Sequence, residues 1–286
     1  MSFKVHKQKQ ASLYLINRRQ RTIVTIAFAI ILLAAVIFMG LLLDEARIDT
    51  HLDERNIPPN LVNLFGTDWL GRDMFTRSMK GLTLSIGVGL IGAIGSTSIA
   101  LIMGLMAATM GKTADRIVSW CIDLFLSVPH LVTLILISFT LGGGFKGIVI
   151  GIALTHWPSL ARVIRAEVLQ IRSADYVHVS KRMGKTRWWI ARNHFLPHLL
   201  PQILVGFMLL FPHAILHEAA VTFLGLGLSP HEPAIGIILS ESMKYLSSGL
   251  WWLAFFPGIC LLVVVRLFDV IGENLRLLID PVRAHE

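Results

Sequence analysis

The sequence predicts an all-α polytopic membrane protein with six transmembrane helices. Three observations lead there. Hydrophobic residues make up 54% of the 286 residues and charged ones 15%, whereas soluble domains run at roughly 45–50% and 25%. The mean hydropathy is +0.67, and uncharged runs long enough to cross a bilayer recur along the chain. The basic residues cluster between alternate runs. Together these exclude an ordinary soluble enzyme, a disordered chain and a small disulfide-stapled domain. Cys121 and Cys260 lie inside apolar runs without a CxxC partner, so they are read as packing residues.

The first span is Ile23–Leu43, 21 uncharged residues. At about 1.5 Å per residue it covers roughly 30 Å, the hydrocarbon thickness. Lys4, Lys7, Lys9, Arg18, Arg19 and Arg21 precede it, and Asp44 and Glu45 follow. Its length and the lack of a small-residue cleavage site make it an anchor rather than a signal peptide. The second span is Leu82–Met110, where Gly92, Ser96, Ala100 and Gly104 form a small-residue stripe that admits a closely packed helix. The third is Ile117–Leu141, with Asp123 and Pro129 inside. The fourth starts at Ile148 and continues past Arg162 and Arg165 into the cytoplasm. The fifth is Ile203–Leu228, and the sixth is Leu250–Ile271, where Pro257-Gly258 predicts a bend.

With the N-terminus inside, the inner segments hold six Lys and Arg in the tail, two in 111–116, eight in 162–202 and two after the sixth span. The outer segments 44–81, 142–147 and 229–249 hold five, one and one. This asymmetry places both termini in the cytoplasm. It also accounts for the net charge of +8 without nucleic acid. Arg266 is expected to pair with Asp269 one turn on. The chain thus divides into a cytoplasmic tail (1–22), a first helix (23–43), an extracytoplasmic loop (44–81), a five-helix core (82–271) and a cytoplasmic tail (272–286).

The inner segment 162–202 exceeds a simple helix connection. It predicts a short amphipathic helix, Asp175–Met183, closed by Gly184. A second helix begins at Thr186 as N-cap and ends at Phe195, ahead of Pro197. The first helix either lies on the lipid surface or docks in a groove of a partner protein.

Gly184, followed later by Leu196-Pro197, resembles the EAA-type loop of ABC importer permeases, although His178-Val179-Ser180 stand where that loop begins Glu-Ala-Ala. Three further stretches resemble the dipeptide/oligopeptide/nickel permease family. They are FGTDWLGRDMFTR (65–77), LHEAAVTFLGLGL (216–228) and RLFDVIGENLRLLIDP (266–281). The chain is similar to the shorter, second permease subunit of such transporters. The resemblance implies type I importer architecture, a second and different permease, two ATP-binding subunits and an extracytoplasmic solute-binding protein. It implies no cofactor on this chain, with ATP and Mg held by the partner subunits. In agreement, the chain carries no phosphate-binding G-x-x-x-x-G-K-[ST] loop. Gly142-Gly143-Gly144 lacks the Lys-Ser/Thr ending and is read as a turn.

On this resemblance Asp175, Tyr176, Val177, His178, Lys181, Arg182, Met183 and Gly184 are expected to couple to the ATPases. Tyr176, Val177 and Met183 would be apolar contacts, and Lys181 and Arg182 a polar rim. Glu218 is either a packing anchor or a substrate-path group, since a carboxyl within a membrane faces protein or water. His213 and His217, four residues apart on one helical face, are candidates for a transient metal contact. THWPSLARVIR (155–165) and this histidine pair resemble the nickel-importing branch. In the outer motif Gly66, Thr67, Asp68, Gly71, Arg72 and Asp73 either meet the binding protein or hold a turn by mutual pairing. Trp188-Trp189 and Trp251-Trp252 are expected at membrane interfaces. Two other functional classes stay open. An ATP-independent secondary transporter or channel would leave 175–197 unexplained. An intramembrane metallo-hydrolase would need H-E-x-x-H or H-x-x-E-H, and the chain has H-x-x-x-H-E.

Overall fold

Residues 18–279 are described by a computed structural model of the chain. The basic residues Lys4, Lys7 and Lys9 and the closing Asp280-Pro281 lie outside the described residues. Among those described, every regular element is helical, apart from one isolated antiparallel bridge between Thr67 and Asp73. Five helices are long and apolar enough to cross a bilayer, or six if one bent pair counts as a single span.

Helix α1 is Arg18–Leu42 and begins five residues before the predicted Ile23, because its basic first turn continues the helix beyond the apolar run. Helix α2 is Met74–Thr109, 36 residues. It starts ahead of the predicted Leu82, since Asp73 caps it by accepting from Thr76 N at 2.8 Å and Thr76 Oγ1 at 2.6 Å. The helix thus takes in residues 74–81, which the sequence reading assigns to the loop.

The predicted third span is two helices, α3 (Lys112–Ser127) and α4 (His130–Thr140), bent by 97°. The cause is local. Pro129 has no N–H to give the helix, and Val128 before it is extended at φ −98°, ψ 139°. Helices α5 (Gly144–Thr155) and α6 (Trp157–Arg172) together make a span of 29 residues, jointed at His156. Helix α7 is Asp175–Arg182. Helix α8, Arg187–Ile190, is capped by Thr186 and runs through a π turn, Ala191–Phe195, into α9, Leu196–Phe223.

The predicted break before Pro197 is absent. In the wide turn Leu196 N–H reaches Ala191 O, five residues back, which accommodates a proline that can make no bond of its own. Arg187–Phe223 is thus one run of 37 residues. Its outer end is Phe223 rather than Leu228, because Gly225 (φ 77°) turns the chain and Leu226 N–H bonds back to Val221 O. Helix α10, Ile235–Met243, was not anticipated. Helix α11 is Trp252–Ile279, with Pro257 inside it, so residues 272–279 are helix rather than tail.

Helix α2 is the central post. Its N-terminal half packs with α1, α9, α10 and α11 around Leu82, Phe211 and Ile238. Its C-terminal half packs with α3 and α6 around Ala100, Ile164 and Leu199. Close approach depends on the small-residue stripe, which is buried. A Cβ on Gly92 would lie 2.8 Å from Ile152 Cγ2, and one on Gly104 would lie 2.7 Å from Ile164 Cγ2. Two Arg–Asp pairs fasten α6 to α3, with Arg162 Nη2–Asp123 at 2.8 Å and Arg165 held by Asp115 through both carboxylate oxygens.

Candidate functional site: a histidine-lined pocket and an exposed short helix

Two helix breaks and one continuous helix converge on one pocket. His130 opens α4 directly after the bend at Pro129, His156 is the joint between α5 and α6, and His217 stands on α9. His156 Nε2 lies 2.9 Å from His217 Nδ1, and His130 Nε2 lies 3.0 Å from His156 Nδ1 and 3.2 Å from its Nε2. One nitrogen from each ring falls within 4.8 Å of the others. The cavity beside them is about 450 Å³ and is shared by His130, His156, His217, His213 and apolar side chains such as Leu160 and Leu210.

The sequence pairs His217 with His213. The structure instead sets His217 against His130 and His156, with His213 exposed on the same cavity wall. His130 and His156 escaped the sequence reading because they are far apart in the chain. A signal was present: Pro129-His130, His156-Trp157-Pro158 and Pro212-His213 all put histidine beside a helix-perturbing proline.

Glu218 stands apart from the histidine pocket. Neighbouring residues on a helix point about 100° apart, so Glu218 turns away from the wall formed by His217. It is fully buried, does not line the cavity, and accepts from Thr222 Oγ1 at 2.9 Å.

The outer motif is folded on itself. Asp68, fully buried, accepts from Arg72 Nε and from Arg77 Nη1, both at 2.7 Å. Arg77 also reaches Glu241 of α10 at 2.9 Å, and Arg72 reaches it at 3.4 Å. Thr67 Oγ1 accepts from Ile57 N at 2.9 Å. Gly66 and Gly71 turn the loop at φ 71° and 78°, and a Cβ on Gly71 would overlap His51 O. Arg77 and Glu241 were missed as members of this network, Glu241 because it lies on an unanticipated helix.

Helix α7 carries the predicted coupling residues. Asp175, Tyr176, His178, Lys181, Arg182 and Met183 are exposed. Val177 is not available to a partner, because the amphipathic period turns it fully into the inner core with Ile164 and Phe195. Gly184 closes the helix at φ 77°, with its N–H on Lys181 O and Lys185 N–H on Ser180 O. Ser180 Oγ lies 2.8 Å from His194 Nε2 in the π turn, which ties α7 to the foot of the long α8–α9 run. Trp188 is exposed beside this hairpin.

A helical bundle with several bilayer-length helices and a pocket lined by histidines and apolar side chains has the architecture of a multi-pass membrane protein. Residues 100–279 match the family described as binding-protein-dependent transport system inner membrane component, and the chain belongs to it. It is 35% identical over 230 residues to the dipeptide transport system permease protein DppC of Bacillus subtilis, covering 80% of this chain and 72% of that protein. It is 34% identical over 245 residues to the DppC of Alkalihalophilus pseudofirmus, covering 86% and 80%. The fold matches a solved MetNI methionine ABC transporter in an inward-facing conformation, at TM-score 0.59 and 18% identity, over 72% of this chain and 98% of that one. The chain is a permease subunit of an ABC importer with type I architecture, not itself an enzyme.

Proposed function

We propose that the chain is one half of the translocation path of an ATP-driven importer in the cytoplasmic membrane. Both of its termini are cytoplasmic. A second, different permease completes the path, two ATP-binding subunits engage it from inside, and an extracytoplasmic binding protein delivers the solute. ATP and Mg belong to the ATPase partners. Residues 82–271 form the core of the path, within which 162–202 is the coupling segment.

One observation carries the coupling: the exposed helix Asp175–Arg182 is pinned to the long rod Arg187–Phe223. Val177 seats it in the core and the Ser180–His194 contact holds it to the π turn. Closure of ATPase subunits gripping Tyr176, Lys181, Arg182 and Met183 would shift the foot of a helix whose outer half carries His213 and His217. Neither competing class gives a role to this exposed hairpin. The test is Gly184→Leu in the reconstituted transporter. A side chain at φ 77° costs about 1–2 kcal/mol of left-handed strain and re-aims the turn. Uptake per ATP hydrolysed should fall at least tenfold; wild-type uptake would refute the lever.

Two solute classes fit such a permease. Relatives named for dipeptide transport point to short peptides. The convergence of His130, His156 and His217 favours a second reading, a metal ion such as nickel, whether free or chelated.

A further inference from the structure

His156 is the centre of the cluster, and its hydrogen bonds determine which of its nitrogens faces the cavity. Its Nδ1 lies 3.2 Å from Ile152 O and 3.0 Å from Thr155 Oγ1. The Thr155 hydroxyl proton is already committed to Gly151 O at 2.8 Å. A carbonyl can only accept, and this hydroxyl has only lone pairs left, so a ring proton on Nδ1 satisfies both contacts, with His130 Nε2 3.0 Å from the same nitrogen. Nε2 therefore holds a lone pair, and it is the atom nearest His217 Nδ1 (2.9 Å) while lying 3.2 Å from His130 Nε2. A backbone carbonyl fixing the far nitrogen of an imidazole is the usual outer support of a metal-binding histidine.

The spacing agrees. Imidazole nitrogens bind at about 2.0–2.1 Å from a metal, so two of them at right to tetrahedral angles stand about 2.8–3.4 Å apart. Without a metal, the lone pair on His156 Nε2 accepts from His217 Nδ1 at 2.9 Å; with one bound, the same lone pair turns to the ion. The cavity wall also lacks what a free peptide needs: among the described residues lining it there is no carboxylate for an ammonium group and no Lys or Arg for a carboxylate.

We propose that His130, His156 and His217 form a three-nitrogen docking site at which a divalent transition-metal cation rests during its passage through this permease. The proposal rests on the importer reading and names its solute class. Three neutral nitrogens and no thiolate or carboxylate select borderline ions of the cobalt–nickel–zinc group over magnesium or calcium. The remaining coordination positions face the cavity, where water or a carried chelator completes the shell. A conduction site must release its cargo, and the open coordination positions give a following ligand access to the ion. His213, one turn before His217, is placed to receive the ion next.

The test uses the whole transporter, meaning this chain with its partner permease, ATPases and binding protein, purified and reconstituted. Cobalt(II) serves as the optical probe and radioactive nickel as the cargo, supplied both as the free ion and as a nickel–histidine complex. The wild type should show one saturable cobalt site with visible ligand-field bands. His130→Ala/His217→Ala should weaken it at least tenfold and lower nickel uptake by a similar factor. His217→Cys should keep the site and add a thiolate-to-cobalt charge-transfer band in the near ultraviolet, which no packing role would produce. Uptake of the free ion, of the complex, or of both tells which form passes. A wild-type complex without histidine-dependent cobalt bands would overturn the proposal, as would nickel uptake unchanged in the double variant. If cobalt binds as expected but nothing is imported on ATP addition, the importer reading fails and the metal site stands.

Discussion

Asp68 carries no solvent exposure and faces two guanidinium groups. With Arg72, Arg77 and Glu241 it makes a neutral four-charge cluster that fastens the outer loop to α2 and α10. Removing one member leaves a buried charge without its partner, which costs about 3–5 kcal/mol. Asp68→Asn should therefore lower the detergent-solubilised unfolding temperature markedly. Arg266→Ala is the contrast. Its bond to Asp269 is 3.5 Å long with the arginine 65% exposed, and such pairs are worth about 0–1 kcal/mol. Thermal unfolding should barely register that change. Equal shifts in the two variants would mean that Asp68 is not holding the loop. The internal use of Asp68, Arg72 and Asp73 favours the turn-holding reading of the motif.

Among the elements, α2 packs closely on α5 and α6 through its glycines. Gly104→Ala would force a Cβ within 2.7 Å of Ile164 Cγ2 and 3.0 Å of Ala161 O. Overpacking of this kind costs about 1–3 kcal/mol. Gly87 lies on the same helix with nothing within 4 Å of its missing Cβ. Gly87→Ala should stabilise by about 0.5–1 kcal/mol through helix entropy. Opposite signs of the two shifts in thermal unfolding are the expected result, and a shared sign would show that α2 packs elsewhere. The bends belong to this scale as well. Pro129 turns α4 by 97° from α3 and brings His130 to His156, whereas Pro197 is absorbed by a π turn and bends nothing away. The same residue type ends one helix and passes through another, because only the second has a wide turn in front of it.

At the scale of the whole molecule, the proposed orientation puts the loop before α2 outside and the α7 hairpin inside. Leu61 is 97% exposed in the first and Met183 71% exposed in the second. Single cysteines at these positions, in a background with Cys121 and Cys260 replaced, should react differently with a membrane-impermeant maleimide. Leu61→Cys should label in intact cells, and Met183→Cys only after the membrane is opened. The reverse pattern would invert the topology and remove the ATPase-facing role of α7. Co-expressed ATPase subunits should protect Met183→Cys from the reagent once the membrane is opened.

The sequence by itself determined the membrane class, the number of apolar runs, the family resemblance and the closing of α7 at Gly184. These are one-dimensional properties: hydropathy over twenty residues, charge between runs, and a glycine required by a left-handed turn. It also placed His213 and His217 on one face of one helix, a relation that the helical period supplies without any fold. The tertiary structure decided what depends on distance between segments. It joined His217 to His130 and His156, turned Glu218 and Val177 inward, and brought Glu241 to Arg77. Those contacts are made across separate helices whose relative placement follows from close packing and from two differently resolved prolines. No local pattern encodes either.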